Sequence, residues 1–141
     1  MNAVSRTLPL ATISRSSSDA LIAAALELAA EANFAVAVAV VDAGGALKGL
    51  SRTDGAAPMT ADVAIGKAWT SATSGFPTHV WNEIVADSKV APLTHLPRMM
   101  AIAGGIPVIE DGQVVGAIGI SGGSHDQDLH VASAALERAG F

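Results

Sequence analysis

The chain contains no cysteine, which removes disulfides, thiolate metal sites and cysteine nucleophiles from consideration. Aromatic residues are scarce, at 4%, so the core has to be built from Ala, Val, Ile and Leu. That composition favours close packing of helix on sheet over large aromatic clusters. Charge is sparse too, and the formal net charge of −5 leaves no basic surface for a nucleic-acid backbone. No run of like charge suggests attachment to a membrane surface. The apolar stretches at Ala20–Ala30 and Ala35–Val41 are interrupted by Glu27, Glu31 and Asn33, and neither reaches the roughly 20 residues of a membrane span. Arg6 and Arg15 precede no compact apolar block, so the start of the chain does not read as a signal peptide and a cytoplasmic location is expected.

What is present is one domain's worth of chain. The 141 residues are enough to bury about 68–70% of the unfolded surface without staples. Residues 1–16 lack a period and are expected to form a flexible arm or an extended edge segment, with residues 17–141 forming a single domain. Ser17, Ser18 and Asp19 offer N-cap oxygens to a helix whose apolar positions are Leu21, Ile22, Ala25, Leu26, Ala29 and Ala32, with Asn33 as its stop. Ala35–Val41 alternates Ala and Val, the pattern of a central strand with Val36, Val38 and Val40 on one face and small residues letting a helix approach on the other. Asp42-Ala43-Gly44-Gly45 turns the chain into a return strand, Ala46–Arg52.

Pro58 can open the next helix, whose stripe is Ala61, Ala64, Ile65, Ala68, Trp69 and Ala72; Ser74-Gly75-Phe76-Pro77 ends it. Thr78 can cap a short helix to about Ala86, and residues 87–97 read as an irregular connection. Strands are expected at Met99–Ala103, Pro107–Glu110 and Gln113–Ser121, the last two joined by an Asp111-Gly112 hairpin turn. Ser124 or Asp126 begins a final helix. Hairpin-linked strands with helices set against them define an α+β layer fold. Small residues in most elements leave apolar faces that point to a homo-oligomer, whether dimer, tetramer or octamer.

Chemistry concentrates in Gly116-Ala117-Ile118-Gly119-Ile120-Ser121-Gly122-Gly123-Ser124-His125-Asp126-Gln127-Asp128-Leu129-His130, a strand that ends in a glycine turn at a helix start. Gly119-Ile120-Ser121-Gly122-Gly123 has the spacing of a hydrolase nucleophile elbow. Asp126 and His130 then lie on the helix that follows the serine, where a hydrolase triad would bring acid and base from separate loops. The same Asp126 and His130, spaced i,i+4, share one helical face, but two ligands do not close a metal site, and no metal is expected. N–H groups of Gly122, Gly123 and Ser124 are candidates for holding a carboxylate or phosphate. His125, Asp128 and His130 are the candidate proton-transfer groups. Arg52 and Lys67 are candidate partners of an anionic ligand, although solvated surface charge is the commoner fate of such residues. Trp69 is assigned to the core, whereas Phe76, His79 and Trp81, with Met99-Met100, surround a bend that can line a flat apolar pocket.

Together, Val40-Val41-Asp42-Ala43-Gly44-Gly45, Arg52-Thr53-Asp54-Gly55-Ala56, Lys67-Ala68, Ala103-Gly104-Gly105-Ile106-Pro107, and Gly116 to Gly123 with Asp128 resemble the GlcG/HbpS-like family. It is also called the haem-degrading or DUF336 domain and includes the C-terminal domain of PduO-type proteins. The resemblance spans roughly residues 18–140. It implies a profilin-like α+β sandwich with a mainly antiparallel five-stranded sheet, higher homo-oligomers, and association with haem or corrinoid. Within that reading an axial ligand comes from His79, His95, His125 or His130, with Arg52 or Lys67 on the propionates. His125 and His130, in and just after the Gly-Gly-to-Asp spacer, depart from the family pattern. Three functions follow: a haem-binding protein, a small cofactor-independent catabolic enzyme (isomerase, lyase or hydrolase type) acting on an anionic organic substrate at the Gly122–His130 turn, and a structural subunit.

Overall fold

A computed structural model describes residues 4–141. Its elements are α1 (Arg15–Glu31), β1 (Ala37–Asp42), β2 (Leu47–Arg52), α2 (Met59–Ser74), α3 (Thr78–Ile84), a short 3-10 helix (Ala91–His95), β3 (Gly105–Glu110), β4 (Gln113–Ser121) and α4 (His125–Arg138). The strands form one sheet in the order β2-β1-β4-β3, with every neighbouring pair antiparallel. Both faces are covered. Val36, Val38, Val40, Ile118 and Ile120 face α1 and α4, while Ala37, Ala39, Val41 and Ala117 face Ala64, Ala68 and Ala72 of α2.

The alternation in β1 explains this layering. Period-two side chains put valine on one face and alanine on the other, and the alanine face admits α2 at backbone distance. Gly119 of β4 completes that contact. A Cβ there would collide with the Ala64 carbonyl oxygen and lie 2.7 Å from the Ala68 amide nitrogen.

The sheet has four strands, not the five expected, because Met99–Ala103 does not pair with it. Its backbone groups find side-chain partners instead. The Met100 N–H donates to Thr70 Oγ1 at 2.9 Å, and Asn82 Nδ2 donates to the Ala101 carbonyl at 2.9 Å. A segment whose polar groups are satisfied against α2 and α3 has no need of a sheet edge.

The first helix starts earlier than expected. Ser14, not Ser17–Asp19, is its N-cap, accepting from the Ser17 N–H at 3.1 Å. Just before it, Ile13 is buried and its N–H donates to the Val115 carbonyl at 2.8 Å, so the end of the expected arm is docked on β4. Residues 1–3 of that arm lie outside the described residues. Among the described residues no helix is long and apolar enough to cross a membrane.

Candidate functional site

At the far end of β4 the chain leaves the sheet at Ser121 and enters α4 through a reciprocal cap. Ser124 Oγ accepts from the Gln127 N–H at 3.2 Å, and Gln127 Oε1 accepts from the Ser124 N–H at 2.8 Å. This is a capping box, which satisfies two otherwise orphan donors. A third donor, the Gly123 N–H, is taken by Asp128 Oδ1 at 2.9 Å. The anion at this glycine turn is therefore the chain's own carboxylate, and the Gly123 and Ser124 donors proposed for an external anion are engaged internally.

Asp128 is only 3% exposed, and its other oxygen, Oδ2, lies 3.1 Å from Lys67 Nζ. Lys67 is 2% exposed and also donates to the Ile120 carbonyl at 2.8 Å. Far from being a solvated surface charge, it is the largest fully buried side chain among the described residues. The reason lies in α2, which is covered on a second side as well as by the sheet. Gly66 faces the Arg98 carbonyl and Met100, and Gly105 rests on the Lys67 carbonyl. Gly104 closes the chamber with φ +128°, where a Cβ would sit 2.6 Å from the Ile120 oxygen and 2.9 Å from Lys67 Nζ. Only glycine fits this backbone and this space.

Burial governs the ionisation of both partners. It pushes the Lys67 ammonium below the ordinary lysine value and the Asp128 carboxyl above the ordinary aspartate value, with their mutual attraction opposing both shifts.

Beside this chamber lies a cleft of about 420 Å3 lined by His79, Asn82 and Glu83 of α3, Ile102 and Ala103 of the following connection, and His125, Asp126 and Leu129 of α4. His79 Nδ1 is buried there without a hydrogen-bond partner. His125 Nδ1 lies 3.2 Å from Asp126 Oδ1 on the exposed side. A second cleft of about 400 Å3, between the end of α1 and the start of β1, is lined by Leu26, Phe34, Asn33, Thr53 and alanines. It holds no titratable side chain.

The candidate residues therefore separate into groups. His79 and His125 share the first cleft. His95 is exposed on the 3-10 helix and His130 is exposed on α4; neither lines the cleft. Arg52 donates through Nη1 to the Ala56 carbonyl at 2.6 Å and is not a lining residue either. Trp69 is half-buried, with the Arg98 guanidinium 4.9 Å above its ring. Among the described residues no group of three or more His, Asp or Glu side chains is placed to hold a metal ion. Residue-by-residue reasoning missed the pairing of Lys67 with Asp128. The available signal was Gly66, Ala68, Thr70 and Ser71 around Lys67, small residues that let neighbouring backbone close over that part of the helix.

The family signature described as "Haem degrading protein HbpS-like" matches residues 13–137. Protein GlcG of Escherichia coli strain K12 is 41% identical over 109 residues, which cover 77% of this chain and 81% of that protein. The crystal structure of Klebsiella pneumoniae protein ORFY superposes with a TM-score of 0.92 at 32% identity, covering 98% of this chain and 97% of that one. A PduOC:heme complex superposes with a TM-score of 0.84 at 28% identity, covering 90% and 94% of the two chains. The sequence match and the shared architecture agree: this chain belongs to the HbpS-like family.

Proposed function

We propose that this protein binds haem or a related tetrapyrrole in the cleft between α3 and α4, with His79 as the axial ligand. The observation that carries the reading is His79 itself, an imidazole on the wall of the cleft. A neutral imidazole is the commonest side-chain ligand of haem iron, and with Nδ1 buried the nitrogen offered to it would be Nε2. Ile102, Ala103 and Leu129 supply apolar surface beside it, and the similarity to a PduOC:heme complex supports the same ligand class. When bound, the iron would supply redox and ligand-exchange chemistry; the chain's own part is to orient the ring face and exclude water from it. Lys67 is buried and committed to Asp128, so it would not hold a propionate.

Titrating hemin into the protein and following the Soret band tests this. Saturable binding is expected, weakened at least about tenfold, or ~1.4 kcal/mol, by His79→Ala and less by His125→Ala. No saturable shift, or one unchanged when all four histidines are replaced, overturns it.

A second reading rests on the polar side of the same cleft, where Glu83, His125 and Asp126 meet His79. These groups suit proton transfer on a small organic substrate, and inertness toward a panel of carboxylate-bearing metabolites would count against it. Exposed Leu47, Leu50 and Ile109 on the sheet and Phe76 after α2 support a structural subunit of a homo-oligomer, which light scattering on the purified protein would weigh directly.

A further inference from the structure

Three walls of the cleft converge on the buried ion pair. Leu129 follows Asp128 directly, and His125 and Asp126 occupy the turn before it, so Asp128 anchors the α4 wall. Gly104 follows the cleft residues Ile102 and Ala103 and packs against both partners, its absent Cβ position lying 2.9 Å from Lys67 Nζ and 3.0 Å from Asp128 Cβ. Gly105 rests on the Lys67 backbone, and its N–H donates to Thr78 Oγ1 at 2.8 Å, immediately before His79 on the α3 wall.

We propose that Lys67 and Asp128 are positioning residues, which hold these three walls at the spacing the bound ligand requires. The proposal rests on the cleft being the binding site. Its physical basis is directionality. Apolar contacts are non-directional and let packed elements slide. Lys67 Nζ, by contrast, ties α2 at once to the end of β4 through Ile120 and to α4 through Asp128, while Asp128 Oδ1 fixes the Gly123 amide. Removing two charges from water to do this brings no net stability that well-packed uncharged residues could not match. The pair is accounted for by the geometry it defines.

Two uncharged double variants test the role, Lys67→Met with Asp128→Asn and Lys67→Met with Asp128→Ala. The first keeps an acceptor for the Gly123 N–H, whereas the second removes it. In the ligand-free protein, amide exchange of Gly123–Leu129 and Ala103–Gly105 should quicken about tenfold or more relative to the rest of the chain. The effect should be graded, with the Ala variant exceeding the Asn variant, and the ring NMR signals of His79 and His125 should shift. Hemin affinity should fall about 10–100-fold, as for other supporting contacts of a ligand site, with an altered Soret maximum. Local exchange and histidine shifts like those of the unsubstituted protein, in whichever variant folds, overturn the positioning role. Failure of the unsubstituted protein itself to bind hemin overturns the haem reading instead, and the ligand-free measurements still decide this one.

Discussion

Removing the charges of the Lys67–Asp128 pair one at a time should cost far more than removing both. Lys67→Met leaves the Asp128 carboxylate buried with the Gly123 and Gly122 amides but no cation, and Asp128→Asn leaves the buried Lys67 ammonium with no anion. Breaking a buried pair from one side costs about 3–5 kcal/mol. The double variant carries no buried charge, and uncharged replacement of such pairs is neutral or stabilising by about 1–4 kcal/mol. Against that stands an unpaired Ile120 carbonyl, at about 1–3 kcal/mol. The double variant should therefore lie within about 3 kcal/mol of the unsubstituted protein, and the two single losses should be strongly non-additive. Urea unfolding of the four proteins gives the cycle. Additive losses would refute the account of Lys67 and Asp128 as a coupled, desolvated pair.

The same comparison has a pH signature. Asp128 titrates in the folded protein above its ordinary value of 3.8. Between that value and its folded one, the native state holds the extra proton, so its contribution to stability falls as pH rises through the window. Lys67 titrates below its ordinary 10.5. There the unfolded state holds the extra proton, and the contribution climbs again as pH rises toward 10.5. Plotted against pH, the stability difference between the unsubstituted protein and the Lys67→Met/Asp128→Asn variant should pass through a minimum between the two windows. A maximum there would mean that attraction outweighs desolvation and would reverse the assignment.

Other positions offer independent checks. Gly119→Ala places a methyl against the Ala64 carbonyl of α2 and should destabilise by about 1–3 kcal/mol or more through overpacking, read from the urea midpoint; Gly44→Ala, whose nearest neighbour is 3.6 Å away, serves as the neutral control. Ser124→Ala breaks the capping box of α4 and should cost about 1 kcal/mol; an unchanged thermal midpoint would contradict the cap. Thr70→Val leaves the Met100 N–H without its 2.9 Å acceptor and should cost about 1–3 kcal/mol, with faster exchange at Met100.

The architecture was legible because its signals are local. The Ala/Val alternation of β1 announced a central strand covered on at least one side, and Val38 and Val40 do line the layer opposite Ala37 and Ala39. Asp111-Gly112 announced the β3–β4 hairpin, and Ser124 announced the start of α4. Met99–Ala103 misled because a short apolar run reads the same whether it joins a sheet or lies along a helix. What separates the two is whether distant Thr70 and Asn82 offer it hydrogen bonds.

The opposite fates of similar side chains mark the remaining boundary. His79, His95, His125 and His130 are equivalent as letters, yet two line the cleft and two do not. Lys67 was expected to be a solvated surface charge and Asp128 a proton-transfer group, yet across 61 positions they form one buried pair. Layers, hairpins and family were readable from the residues alone, since periodicity, turn chemistry and motif order act over neighbouring residues. Which charges left water and which imidazoles came together followed from folding, because burial and pairing depend on how α2, α4 and the 98–105 segment close on one another.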